Sequence, residues 1–288
     1  MRRLFLAAAL IAAMLVPASS AMAELHHPTG EYAPFADCPL SRATLTACVL
    51  SESDGGFFTV GSKTVPLENP VTLQGGLEEN ESGGFDFFGA EDGNTLSKTP
   101  QPVPGGLLGI TAPSWWPQLL KDLFNETINN GFTGVTATVE IAGPATGIKL
   151  DPLALIFQSG TALSLPAKIK ISNPFLGNNC YLGSNSKPIV LDFTTGTTSP
   201  PPPNEPISGS VGEISENEAA TITRFKGGRL VNNSFAAPGA TGCGGIFSFL
   251  VDPLVNSILG VPSPAGTNTA VLEGKIETAL AEAVRASE

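Results

Sequence analysis

The stretch ALSLPAKIKIS, residues 162–172, places apolar side chains at every second position: Leu163, Leu165, Ala167, Ile169 and Ile171. Ser164, Lys168 and Lys170 fall between them. A period of two puts alternate side chains on opposite faces of an extended chain. One face is therefore apolar and the other polar, as in a half-buried strand of an antiparallel sheet.

Working outward, the same pattern recurs. GVTATVEIAG (134–143) puts Val135, Ala137, Val139 and Ile141 on one face, and PIVLDFTTGT (188–197) does so with Ile189, Leu191 and Phe193. FFTVGSKTVPL (57–67) predicts a hairpin turning at Gly61-Ser62, and TITRFKGGRLV (221–231) one turning at Gly227-Gly228. VTLQGGL (71–77) and AVLEGKI (270–276) add two strands, the latter with Leu272, Gly274 and Ile276 sharing a face. Short strands separated by Gly/Pro turns predict a mainly β fold, an antiparallel sandwich or barrel.

Two stretches break the period. SWWPQLLKDLFNETI (114–128) carries Trp116, Leu119, Leu120, Leu123, Phe124 and Ile128 at helical spacing, ended by Asn129-Asn130-Gly131. GGIFSFLVDPLVNSILGVP (244–262) repeats that spacing through Phe247, Leu250, Leu254, Val255, Ile258 and Leu259, with a restart expected at Pro253. Both predict short amphipathic helices that cover an open end of the sheets and pack on their own core. Contact with lipid or an apolar ligand through Trp115-Trp116 and Phe247–Phe249 is the alternative. Asp252 and Pro253 argue against a membrane span.

The N-terminus has the form of a secretory signal peptide over residues 1–23: Arg2-Arg3, an apolar run from Leu4 to Val16, Pro17, then small residues to Ala23. Cleavage after Ala23 is expected, with Ala21 as the alternative. The strong apolar run favours general secretion over the twin-arginine route, and the run is too short to be a transmembrane anchor. Export predicts a secreted protein, extracellular or associated with the cell envelope. The whole chain carries 15 basic and 26 acidic residues, a net charge of −11 that becomes about −13 once Arg2 and Arg3 leave. Such a charge repels phosphate backbones and anionic membranes, so nucleic acid is not an expected partner.

Four cysteines outside the cytoplasm imply two disulfides, with three possible pairings. Proximity favours Cys38–Cys48 and Cys180–Cys243. Ten residues of continuous helix would part Cys38 and Cys48 by about 15 Å, so PLSRATLTA must double back. A zinc site lacks the C-x-x-C pair or histidine it would need. TTGTTSPPPPNEPISG (194–209) lies between Cys180 and Cys243. A cross-link over it argues for a stiff surface crossover at 199–206 inside one domain spanning 24–288, with a C-terminal tail from about 279.

FADCP (35–39), GNNCYLGS (177–184), TTGTTSPPPPN (194–204) and NNSFAAPGATGC (232–243) together resemble the landmarks of a family of uncharacterised secreted actinobacterial proteins. The similarity spans nearly all of the chain after the signal peptide. It implies export and a shared scaffold, and it brings no activity and no catalytic residue.

Catalytic chemistry finds little material. His26 and His27 are the only histidines and both border the cleavage site, which leaves no scaffold-held base for a Ser-His-Asp or Cys-His arrangement. G-x-S-x-G, H-E-x-x-H, P-loop and dinucleotide motifs do not occur. Paired carboxylates from Glu140, Asp151, Asp192 and Glu213 would be needed for a glycosidase-like hydrolase. The acidic run Glu78–Asn94 offers Glu91, Asp92 and Asn94 to calcium without the EF-hand spacing; a hairpin tip pinned by Phe85, Phe87 and Phe88 is the expected alternative. Cleavage after Ala23 would expose Glu24-Leu25-His26, whose amine, two amides and imidazole form a square-planar Cu(II) or Ni(II) set, with His27 as an added donor. The expectation from sequence is a non-enzymatic binding or structural protein, with an apolar-ligand or lipid carrier as the alternative and a carboxylate hydrolase third.

Overall fold

The structure, a computed structural model, describes residues 27–108, 112–129 and 133–288. The signal segment, the copper-binding expectation at His26 and the helix stop at Asn130-Gly131 lie outside the described residues. The chain passes through β1 (Ala47–Val60), β2 (Lys63–Pro66), β3 (Val71–Glu79), β4 (Phe85–Gly89), β5 (Gln101–Pro102) and helix α1 (Gln118–Asn129). Next come β6 (Thr136–Ile141), β7 (Lys149–Leu150), helix α2 (Pro152–Phe157), β8 (Leu163–Ser172), β9 (Tyr181–Leu182) and β10 (Ile189–Phe193). The remainder is β11 (Glu213–Glu216), β12 (Ile222–Asn232), β13 (Ala240–Thr241), helix α3 (Ser248–Leu259), β14 (Thr269–Leu280) and helix α4 (Ala281–Ala286).

The strands form two antiparallel sheets packed face to face. One runs β11-β12-β14-β1-β3-β4, with β2 continuing along β1 beyond β3. The other is built on β8, flanked by β6 and β7 on one side and by β9 and β10 on the other. No ladder among the described residues closes the two sheets into a barrel. They meet at one margin, where Thr194 after β10 bridges to Val231 of β12. The architecture is a sandwich.

β8 shows why. Leu163, Leu165, Ala167, Ile169 and Ile171 are all buried, while the residues between them are half-buried. β10 repeats this with Ile189, Leu191 and Phe193. Across the interface, Val49, Leu73, Leu77 and Phe87 of the first sheet join the same core. Fully burying a side chain of this size contributes roughly 1.5–3 kcal/mol, so the inner faces supply most of the cohesion.

A second, smaller core covers the outer face of the first sheet. Phe35, Cys38, Leu40 and Leu45 from the N-terminal segment pack there with Cys48, Ile222, Ala279, Ala281 and Val284. The Cys38–Cys48 disulfide ties this layer to β1, and its α-carbons are 5.6 Å apart. The segment doubles back as that cross-link requires. The expected tail from about 279 is instead the end of β14 followed by α4, because Ala281 and Val284, three residues apart, both find this apolar layer.

Three further expectations are corrected. Ile222 to Asn232 is one continuous strand on β14, not a hairpin turning at Gly227-Gly228. Gly227, at φ +66°, forms a bulge between Lys226 and Gly228 that bends the strand without reversing it. Likewise α3 does not restart at Pro253 but runs through it, forgoing a single backbone hydrogen bond. The third correction concerns how α1 and α3 pack, described below. The hairpin at Gly61-Ser62 forms as expected, pairing Val60 with Lys63.

The proline run lies between Cys180 and Cys243, whose bond closes a separation of 63 residues. Thr197 and Ser208 bridge at its base, and Pro201 to Pro203 are exposed. Asn204 fastens it: the side-chain amide donates to the carbonyls of Asn233 and Asn268, each at 2.9 Å. The run carries the chain from β10 in one sheet to β11 in the other as a fastened surface crossover.

Candidate functional site

One end of the sandwich is built differently from the rest. β6 starts there, opposite the end of β8, with Thr136 paired to Ser172. Residues beyond both strands project from this end. Val103 N–H donates to the Val135 carbonyl at 2.8 Å and Leu107 N–H to that of Thr133 at 2.6 Å, which carries α1 outward. The loop after β8 is held by Asn173, whose amide donates to the Gly134 carbonyl at 2.7 Å. Gly244 N–H in turn donates to the Leu176 carbonyl at 2.7 Å, and the Cys180–Cys243 bond anchors the same turn. The Asp252 carboxylate accepts from the N–H groups of Gly242 and Cys243, which orients α3. Its last residue, Leu259, meets the β1–β2 hairpin.

This end therefore wears a collar made of α1, the Asn173–Leu176 loop, the one-turn helix Gly245–Phe247 and α3. The collar is apolar and uncovered. Trp115 is 80% exposed, Leu119 79%, Ile246 86% and Phe249 70%. Leu120, Leu123, Phe175, Phe247, Leu250 and Leu254 are exposed as well. Val255 is the buried residue of α3. The expectation that both helices pack on the core holds only in part: α3 lays Val251, Val255 and Leu259 on it while Phe249, Leu250 and Leu254 face outward, and among the described side chains of α1 Leu119, Leu120 and Leu123 are exposed. Trp116 is half-buried, edge-on to Trp115 and to Phe124 with ring centroids 6.1 and 5.5 Å away. Contiguous apolar surface of this kind marks a contact site.

Behind the collar an apolar cavity of about 80 Å³ lies between the sheets, lined by Phe58, Val60, Val71, Val103, Val135, Ala137, Val139, Ile169, Ile171, Leu182 and Leu259 among others. Lys63 is the one charged residue in that lining. A smaller space of about 40 Å³ continues inward and shares Phe58, Leu67, Val71 and Val139 with the first. A drug-sized ligand pocket is typically 300–1,000 Å³, so the sandwich does not enclose a whole ligand of that size.

Of the four carboxylates singled out from sequence, Asp151 and Asp192 share a cleft and Glu140 and Glu213 lie outside its lining. Glu140 sits 3.6 Å from Lys168, and Glu213 is exposed on the edge strand β11. Asp151 caps α2, accepting from the N–H groups of Leu153 and Ala154. Asp192 accepts from the Ser164 hydroxyl at 2.5 Å. Asp151 and Asp192 line that cleft, of about 610 Å³, together with Asp86 and Lys149. All three carboxylates are exposed to solvent. In the acidic run, Asp92 receives Asn94 N–H at 2.7 Å within its own turn, and Glu91 accepts from the Ser41 hydroxyl. Among the described residues, no group of three or more His, Cys, Asp or Glu side chains is placed to hold a metal ion. Phe87 is buried in the main core and Phe88 lies beneath the Arg42 guanidinium, so the run is the pinned hairpin of β3 and β4.

Two side chains have displaced proton affinities. The Tyr181 hydroxyl is pushed above the usual phenol range, first by burial, then by the nearby Glu140 charge and its hydrogen bond. Glu78 is held below the usual carboxylate range by hydrogen bonds from Arg42 and Thr44. Neither lines the cleft that holds Asp151 and Asp192.

Sequence reading marked Trp115-Trp116 and Phe247–Phe249 but not Phe175, which belongs to no periodic segment, or Ile246, which precedes the helical spacing read from Phe247 onward. It also gave no sign of the cavity, whose walls are ordinary inward-facing strand residues. Comparison with protein-family models, with curated proteins and with solved structures finds no match to this chain.

Proposed function

We propose that this chain is a secreted or cell-envelope, non-enzymatic domain that attaches to an uncharged lipid surface through its helical collar. The observation that carries the reading is the exposure of Trp115, Leu119, Ile246 and Phe249 on separate elements at one end of a rigid, disulfide-tied sandwich. Moving even three such side chains out of water is worth on the order of 5 kcal/mol before ordering costs. Trp with Phe and Leu is the composition of elements that lie in a bilayer interface. A protein partner would favour Arg and Tyr beside the aromatics, and residues 103–135 and 244–260 contain neither. The net charge of −11 selects against anionic headgroups. Among the described residues no helix is long and apolar enough to cross a membrane, so attachment would be peripheral. The signal segment and the resemblance to secreted actinobacterial proteins support the exported setting, with residues 24–288 as one domain.

Flotation with zwitterionic phosphatidylcholine vesicles tests this. The wild-type chain should rise with the vesicles. A Leu119→Glu, Ile246→Glu, Phe249→Glu triple variant with unchanged circular dichroism should stay at the bottom. A wild-type chain that stays with the soluble fraction would remove the reading.

A further inference from the structure

We infer that the apolar seam behind the collar receives one unbranched alkyl chain, the tail of a lipid from the surface on which the collar sits. This rests on the attachment reading and specifies what that contact does.

Position comes first. Leu259 belongs both to the collar, as the last residue of α3, and to the lining of the cavity. Val135 and Ile171, at the ends of the strands from which the collar projects, line it too. A chain leaving a lipid surface beneath the collar therefore meets the mouth of the space between the sheets.

Size selects the ligand. The cavity of about 80 Å³ is roughly half the ~150 Å³ space that admits benzene. A space this small favours a single file of methylenes over a ring system. The adjoining 40 Å³ space extends it along the sandwich, past Val139 and Phe58 toward Leu73 and Phe193.

The walls agree. On β8 every inward side chain is buried, whereas on β6 the inward Ala137, Val139 and Ile141 are only partly so, and Ala137 and Val139 line the cavity. Native interiors leave few such voids. The uncharged polar residues in the lining, Gln101, Ser97 and Thr99, are turned to the chain itself. The Gln101 carbonyl accepts from the N–H groups of Glu68 and Asn69, both at 2.9 Å, and its amide donates to the Asn69 carbonyl at 2.8 Å. Ser97 and Thr99 hydroxyls bond each other at 3.0 Å. The seam therefore recognises hydrocarbon by shape.

The test uses a conjugated-polyene fatty acid, whose fluorescence rises in an apolar site, and a phospholipid carrying the same chain in phosphatidylcholine vesicles. Wild-type protein should brighten the probe, and an unbranched saturated fatty acid should compete it out while a compact polycyclic carboxylic acid does not. Uptake from vesicles supports the inference, whereas uptake only from solution overturns the surface lipid as the source of the chain. Val139→Phe should weaken uptake at least tenfold, with Val139→Ile, a milder filling, falling between. Thermal melting of each variant reports whether it folds. A wild-type chain that floats with vesicles yet never brightens either probe overturns the inference and leaves attachment standing. Absence of both flotation and uptake overturns the two together. Equal uptake by a folded Val139→Phe variant would place the chain on the collar surface and overturn the seam.

Discussion

The carbonyl of Leu259 accepts the backbone N–H of Ser62 at 2.8 Å, so the end of α3 is fastened to the tip of the β1–β2 hairpin while the leucine helps line the apolar cavity. The Ser62 hydroxyl adds a bond to the Ile258 carbonyl at 3.0 Å. The collar is thereby braced on the sandwich. It is a set of exposed apolar side chains held in place by hydrogen bonds to the backbone of α3.

That brace has a weak point at Gly61, which has φ +58° and whose Cα faces the Leu259 carbonyl too closely for a side chain. Gly61→Val should lower stability by about 2–3 kcal/mol, from left-handed strain and displacement of α3. Urea unfolding would measure it. Vesicle flotation should weaken in parallel, since α3 loses its footing.

Asn268 is fully buried and uses its whole side chain. Its carbonyl accepts from Gly61 N–H and the Ser263 hydroxyl, and its amide donates to the carbonyls of Phe235 and Pro264. Asn268→Ala leaves several of these groups unpaired in the interior, at about 1–3 kcal/mol each. A loss of at least 3 kcal/mol is expected, as a lower urea midpoint with little change in slope. A change near zero would mean the site is open to water.

Each disulfide can be removed separately. In the chain-entropy picture, Cys180–Cys243, with its separation of 63 residues, contributes about 4 kcal/mol, against about 3 kcal/mol for Cys38–Cys48 with a separation of 10. Paired Cys→Ser variants should melt in that order. Only loss of the Cys180–Cys243 bond should also reduce vesicle binding, because that bond anchors the collar turn. Equal melting of the two variants would contradict the assignment.

Tyr181 predicts an alkaline signature. Its folded proton affinity is raised, so the stability it supplies is complete below the unfolded value near 10 and fades as pH climbs through the folded one. With Tyr32 changed to Phe, one tyrosine remains, and phenolate absorbance should show its titration above that of the unfolded chain. Glu140→Gln should move the midpoint partway back, since burial persists. A midpoint insensitive to Glu140 would leave desolvation as the sole cause.

The sequence was most legible where a single period governed many residues. β8 follows the two-residue alternation across all ten positions. In β10, Leu191→Ala should cost about 2–5 kcal/mol while Val190→Ala, outward and exposed, should cost little. Gly227-Gly228 was ambiguous because a positive-φ glycine serves a hairpin and a bulge alike; pairing with β14 decides between them. β7, β9 and β13 have two residues each, too few for any period. α1 and α3 mark the deeper limit: helical spacing says which face is apolar, but whether a neighbour covers it is a tertiary fact. Phe175 and Ile246 became visible only when the Leu176–Gly244 contact brought their loops to the same end.

Trp115 and Trp116 are the only tryptophans in the chain, so intrinsic fluorescence reports on the collar alone. On addition of phosphatidylcholine vesicles to the native protein, emission should shift to the blue, and lipids brominated along the acyl chain should quench it. Emission that neither shifts nor quenches at saturating lipid would contradict attachment through this end.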